Sequence, residues 1–258
     1  MSDLPLIIGH RGASAVAPEN TLAAFARAMI DGADGIEFDV RLARDGVPVV
    51  IHDATLERTG LIAGRVADRS SAELQQTDVG TWFSQRSPTS HSEFRGEKLP
   101  SLAQVFDLFS RDTGLLYLEM KSETSDVRLA SEVLRAIHEY SLSERVIVAS
   151  FDLLLISEAK SIDSRIRTAA LFGPKMSRPL SLIPSMKLVA LAKDCRADEI
   201  ALHYSLARRQ VIDKAKQFEL RAVVWTVDNP DWIERARSLG IDALITNNPA
   251  AMLRDRRV

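Results

Sequence analysis

Glu37 and Asp39 stand two apart in "GIEFDV", and Glu119 and Lys121 stand two apart in "LLYLEMK". His10 and Arg11 close the apolar run "LIIGHR", and His52 closes "PVVIHD". Side chains two apart on a strand share a face, so each pair points one way, opposite Phe38 in the first run and opposite Leu118 and Met120 in the second. Three carboxylates brought into one site repel one another and raise their own pKa values unless positive charge compensates. Because the ligands are oxygens, a hard divalent cation, Mg²⁺ or Ca²⁺, is the natural counterion. Two imidazoles outside that ligand set can exchange protons near neutral pH, one as acid and one as base. Metal, paired imidazoles and additional cations together suit a displacement at phosphorus.

Each piece alone has a plainer reading. A Glu-x-Asp on a strand is usually solvated or salt-bridged, a histidine at a strand end is usually a structural hydrogen-bonding group, and Lys121 can be no more than the partner of Glu119. The coincidence favours chemistry: of five histidines, His10, His52 and His203 fall at the ends of apolar runs, while His91 and His138 read as surface residues. His203 lines a mouth or is structural, since Ser205 can cap a following helix. Trp225 in "VVWTVDNP" walls a pocket or belongs to the core. Asp228-Asn229-Pro230 reads first as a helix start. Ser150, beside Phe151, has no triad pattern around it to make it a nucleophile.

The elements that must position these residues are legible in the alternation of the chain. Strand runs fall at 6–10, 35–40, 48–53, 115–120, 145–150, 167–172, 199–203, 222–227 and 242–247. Helical patterns fall between them at 20–31, 101–110, 126–140, 152–161, 205–217 and 230–238. Continuous apolar strands alternating with helices predict a parallel sheet covered by helices. The connection "RLARDG" is too short for a parallel crossover, which needs about ten residues or more, and Asp45-Gly46 is a good hairpin turn. With 48–53 set aside as a hairpin return, eight strand–helix units remain, predicting a (β/α)₈ TIM-type barrel whose active site lies at the C-terminal ends of its strands. An open doubly wound sheet is the alternative. Residues 54–98 break the rhythm and read as a small insertion subdomain at the barrel mouth of a single domain spanning 1–258.

Bulk composition fits such a domain. The 258 residues are 46% hydrophobic and 26% charged, enough for a sizeable core. Lys and Arg total 33 against 35 Asp and Glu, so no basic surplus points to nucleic acid. The one cysteine, Cys195, rules out an internal disulfide and fits a reducing compartment. The opening "MSDLPLIIGH" has no basic n-region, and no run approaches the roughly 20 apolar residues that cross a bilayer. The expectation is a soluble cytoplasmic protein with no membrane span; oligomeric state leaves no mark on the sequence.

"HRGASAVAPENT" (10–21), "IEFDVRLARDGVPVVIHDATLERT" (36–59), "LPSL" (99–102), "YLEMK" (117–121), "WTVDNP" (225–230) and "DALITNNP" (242–249) together resemble the glycerophosphodiester phosphodiesterases. These are phospholipase C-like phosphodiesterase TIM barrels, and the similarity runs in order over nearly the whole chain. The resemblance implies metal-dependent hydrolysis of a small glycerophosphodiester to sn-glycerol 3-phosphate and an alcohol. It implies Glu37, Asp39 and Glu119 as metal ligands, His10 and His52 as the acid–base pair, and Arg11 and Lys121 as phosphate-binding groups. Asp228 departs from the family, which often carries Asn after "WTV". Two other readings keep the barrel: a phospholipase-like reaction through a cyclic phosphate, and a non-catalytic phosphodiester-binding barrel, for which an acid–base pair would be superfluous. In the opening segment, Gly12 permits a tight turn, Pro18 restrains the approach to the helix, and Asn20 or Thr21 is placed to cap it.

Overall fold

The structure, a computed structural model, describes residues 4–86, 92–174 and 185–256. Nine strands form one sheet: β1 (Leu6–His10), β2 (Gly35–Leu42), β3 (Pro48–Val50), β4 (Leu115–Met120), β5 (Val146–Ser150), β6 (Arg167–Phe172), β7 (Glu199–His203), β8 (Arg221–Trp225) and β9 (Ala243–Thr246). Eight of them are parallel neighbours in the order β1-β9-β8-β7-β6-β5-β4-β2, and the β1–β2 pairing closes the ring. β3 lies antiparallel to β2, returning through a turn in which Gly46 has φ 79. The chain is therefore a closed (β/α)₈ TIM barrel with one hairpin return, and the open doubly wound alternative is excluded.

Closure explains the apolar continuity of the strands, because each has one face inside the barrel and the other under a helix. Inside lie Ile8, Tyr117, Ile147, Ala149, Ala169, Leu171, Ala201, Val223, Ala243 and Ile245. Outside, one arc of core packs against helices Leu22–Ile30, Leu102–Phe109, Arg128–Glu139 and Leu153–Ile162. A second arc packs against Ser185–Asp194, Arg209–Gln217, Trp232–Leu239 and Pro249–Arg256. The floor of the barrel is polar but fully satisfied. The Tyr117 hydroxyl donates to Glu199 Oε2 at 2.9 Å, and Arg167 donates to Glu199 Oε1 at 2.8 Å.

Local chemistry sets several helix starts. Thr21 caps Leu22–Ile30 by accepting from the Ala24 amide at 3.1 Å, and Ser101 with Gln104 forms a reciprocal capping box. The cap expected at Ser205 is absent. Ser205 donates its hydroxyl or accepts at His203 Nδ1 within a 3₁₀ turn, Tyr204–Leu206, while helix Arg209–Gln217 starts at Arg208 without a side-chain cap. Asp228-Asn229-Pro230 does lead into a helix, Trp232–Leu239, with Asn229 Oδ1 accepting from the Asp231 amide at 3.0 Å, while the Asp228 carboxylate reaches across to the end of β9. Helices Ser185–Asp194 and Pro249–Arg256 were not legible as amphipathic runs.

Between β3 and β4, the described residues of the 54–98 insertion fold into short helical turns, Glu57–Gly60, Ser71–Leu74 and Thr81–Arg86, around Leu56, Val66, Leu74 and Val79. These pack on Ala43, Val49 and Ile51 at the β2–β3 hairpin and on Leu99 just after the insertion, and the Arg65–Glu123 ion pair ties them to the loop after β4.

Candidate active site

A cavity opens at the C-terminal ends of the strands, lined by His10, Arg11, Glu37, His52, Tyr117, Glu119, Lys121, Phe151 and Trp225 among others. Strand register accounts for the gathering. His10 pairs with Glu37 across β1–β2, and Asp39 pairs with Glu119 across β2–β4, so the carboxylates sit side by side at one height. One oxygen from each of Glu37, Asp39 and Glu119 lies within 4.8 Å of the others, and all three side chains are buried.

Burial of like charges leaves its trace in the titration. Glu37 is pushed well above the usual carboxylate range, first by desolvation and then by the charges of Asp39 and Glu119. Glu119 is raised mainly by desolvation and by Asp39, against the pull of Lys121. Asp39 goes the other way, since Arg11, Lys121 and a hydrogen bond from Asn20 outweigh its burial. Asn20 Nδ2 donates to Asp39 Oδ2 at 2.8 Å, Arg11 Nε lies 3.1 Å from the same oxygen, and Lys121 Nζ lies 3.2 Å from Oδ1 and 2.6 Å from Glu119 Oε1. Even so, Asp39 Oδ1 and Glu119 Oε1 are buried and accept no hydrogen bond of good geometry. Buried carboxylate oxygens with free lone pairs, converging within 4.8 Å, are a donor set that fits a hard divalent cation.

The two histidines are backed differently. His52 Nδ1 lies 2.6 Å from Asp53 Oδ1, and Asp53 Oδ2 takes Arg58 Nε at 2.6 Å. Arg58 also reaches Glu19 at 2.7 and 2.8 Å, and Glu19 holds Arg11 at 2.7 Å, so ion pairs run from His52 round to Asp39. His10 Nδ1 instead meets the amide oxygen of Asn247 at 2.7 Å, with Nε2 3.9 Å from Glu37 Oε2. Burial and the Arg11 charge push the His10 imidazole down to about 4.

Arg11 occupies the left-handed region at φ 54, directing its amide onto Glu37 Oε2 at 3.0 Å. Next to it, Gly12 at φ 83 passes so close to Ala24 that an added Cβ would sit 2.5 Å from that backbone. The mouth thus gathers His10, Arg11, Glu37, Asp39, His52, Glu119, Lys121 and Trp225. Trp225 walls the cavity, its Nε1 donating to Ala201 O at 3.2 Å and its ring edge-on to Phe151. His203 lies edge-on to Trp225 with 5.3 Å between ring centroids and does not line the cavity, Ser150 donates to Met120 O, and His138 pairs on the surface with Asp163. His91 lies outside the described residues. Unforeseen were Glu19, Asn20, Asp53, Arg58, Asp228 and Asn247, which hold the others in place. Of these, Asp53 carried the clearest sequence signal, being the acid directly after a strand-end histidine.

A closed barrel with buried carboxylates and two imidazoles in its C-terminal mouth defines a TIM-barrel enzyme. The chain belongs to the glycerophosphoryl diester phosphodiesterase family, whose sequence profile matches residues 10–251. A glycerophosphodiester phosphodiesterase of Caldanaerobacter subterraneus subsp. tengcongensis is 33% identical over 251 residues, covering 96% of both chains. A crystal structure of a protein from Silicibacter pomeroyi matches with a TM-score of 0.86 at 27% identity, covering 98% of this chain and 93% of that one. That of glycerophosphodiester phosphodiesterase from Agrobacterium tumefaciens matches with a TM-score of 0.78 at 26% identity, covering 96% and 98%. Among the described residues no helix is long and apolar enough to cross a membrane.

Proposed function

We propose that this protein hydrolyses glycerophosphodiesters to sn-glycerol 3-phosphate and an alcohol, with a divalent cation held by Glu37, Asp39 and Glu119 and with His10 and His52 moving the protons. The observation that carries this reading is the buried carboxylate triad, with one oxygen of each within 4.8 Å of the others, set beside two imidazoles in one cavity. Family membership and a relative of that name over 96% of the chain support the substrate class. When bound, a divalent cation supplies Lewis-acid polarisation of the phosphoryl oxygens. Everything else is the work of the chain. Arg11 and Lys121, the cations nearest the triad, attract and orient a monoanionic phosphodiester. One histidine takes a proton from the attacking water while the other delivers one to the leaving alkoxide. Trp225 and the small residues around it offer an apolar wall for the carbon skeleton of the substrate. The chain acts as one domain, the 54–98 insertion orienting His52 through Arg58, on small water-soluble substrates in the cytoplasm.

Release of glycerol 3-phosphate from a panel including glycerophosphocholine and glycerophosphoethanolamine tests this directly. The release is expected to stop in excess chelator and return with Mg²⁺ or Ca²⁺. Robust turnover in chelator would sink the metal assignment, and no turnover of any diester with metal present would sink the substrate class.

A further inference from the structure

Behind His10 stands a second layer that neither the family resemblance nor the cavity itself assigns. The Asp228 carboxylate receives three donors from the end of β9: Thr246 Oγ1 at 2.9 Å, the Asn247 amide nitrogen at 2.7 Å and Asn247 Nδ2 at 2.7 Å. A carboxylate accepts and cannot donate, so the side-chain atom of Asn247 that faces it must be the nitrogen. The amide oxygen is thereby turned to the other side, where the Ser14 hydroxyl donates to it at 3.0 Å and His10 Nδ1 lies at 2.7 Å. An amide oxygen can only accept, so His10 must carry a proton on Nδ1. Its Nε2, on the side of Glu37 Oε2, is left as the nitrogen that can take a proton or give one.

We propose that Asn247, fixed by Asp228, is a positioning residue that locks His10 in the Nδ1–H form and so reserves Nε2 for the reaction. This deepens the proposed hydrolysis and rests on it. Asp228, standing where the resemblance leads one to expect Asn, gains a reason of its own. An Asn there would spend its oxygen on the Asn247 backbone N–H, so the group turned to the Asn247 side chain would be an NH₂, which does not hold that amide in the present orientation. With Asp at 228 only one orientation satisfies both ends of the chain Asp228–Asn247–His10. The link behind His10 is also neutral where that behind His52 is ionic, so it orients its imidazole without adding a negative charge beside the carboxylate triad.

The test reads the tautomer and the rate separately. In ¹⁵N-histidine-labelled full-length protein loaded with Mg²⁺, at about pH 8, above the ordinary imidazole range, His10 should show a protonated, pyrrole-type Nδ1. Asn247→Ala should lose that preference, with kcat falling about 10- to 100-fold and KM staying within about threefold. Asp228→Asn, the milder change and the safer one for folding, should give mixed tautomers and a smaller loss of kcat. The double swap Asn247→Asp with Asp228→Asn restores an acceptor towards His10 and a donor behind it, and should recover both the Nδ1–H signal and most of kcat. Retention of the wild-type tautomer in Asp228→Asn and Asn247→Ala would overturn the proposal. So would a swap that recovers the tautomer but not the rate. Failure of the wild-type protein to cleave any glycerophosphodiester would refute the functional reading instead, and the nitrogen spectra would still decide the tautomer.

Discussion

The mouth of the barrel is divided into two unlike arcs. Along β1 to β4 it presents His10, Arg11, Glu37, Asp39, His52, Glu119 and Lys121, most of them tied to further charged groups. Along β5 to β9 it presents Ala149, Ala169, Leu171, Ala201, Trp225 and Ile245, with scarcely a polar atom among the side chains. The difference is one of physical task. The charged arc carries groups that are expensive to bury, so each needs a partner and each partner needs another. The apolar arc gains its usefulness from what is missing, since alanines on three successive strands leave the space in which a substrate can lie.

If that division is right, substitutions on the two sides should fail in different ways. On the charged arc, His52→Ala should lower kcat by about 100-fold or more with the fold intact by circular dichroism, as expected of a general acid–base group. Unchanged turnover would remove His52 from the reaction. On the apolar arc, Trp225→Ala should raise KM about tenfold while kcat moves little, the pattern of lost uniform binding. A kcat collapse there would mean that the wall takes part in the chemistry.

The arcs should also differ in how they answer to pH without metal. Glu37 and Glu119 are raised above their ordinary range, so the folded, metal-free protein holds protons that the unfolded chain has released. That stabilisation is present at acid pH and is lost as pH rises from the usual glutamate range through the raised values. In chelator, the melting temperature should therefore fall by a few degrees as pH rises from about 5 to about 8, and Glu119→Gln should flatten the slope. Divalent cation should flatten it too, with the gain largest at the alkaline end, because ligands must shed protons to bind. A slope unaffected by either change would separate the triad from the pH response. Smallest of all should be an ion pair on the outer surface. Arg135 bridges Glu132 and Glu139 at 2.7 and 2.6 Å in the open, and Arg135→Ala should alter stability by no more than about 0.5 kcal/mol and leave turnover untouched.

The same contrast explains what could be seen in the sequence. Strands announce themselves because a closed parallel barrel demands unbroken apolar runs, so the polar residue ending each run stands out, as His10, Glu37, Asp39 and Glu119 do. The short "RLARDG" link revealed the hairpin because chain length forbids any other connection there. Supporting residues left no comparable mark. Glu19 meets Arg58 across 39 positions and His10 meets Asn247 across 237, distances over which no local pattern operates. Asn20 looked like a helix cap because Thr21 beside it is one; only the fold reveals that it holds Asp39. Helix Pro249–Arg256 went unread because "PAAMLRDR" lacks the spaced apolar stripe that marks an outer helix.

The Tyr117–Glu199–Arg167 floor has a consequence for traffic. With both Tyr117 and Glu199 buried and hydrogen-bonded to each other, the barrel offers no way through at its N-terminal end. Water, diester and both cleavage products must all pass by a single doorway. Two products formed in a one-ended chamber should leave in sequence, the one nearer the doorway first. The deeper product is then expected to compete with fresh substrate for the vacated chamber, which inhibition of turnover by added product would show.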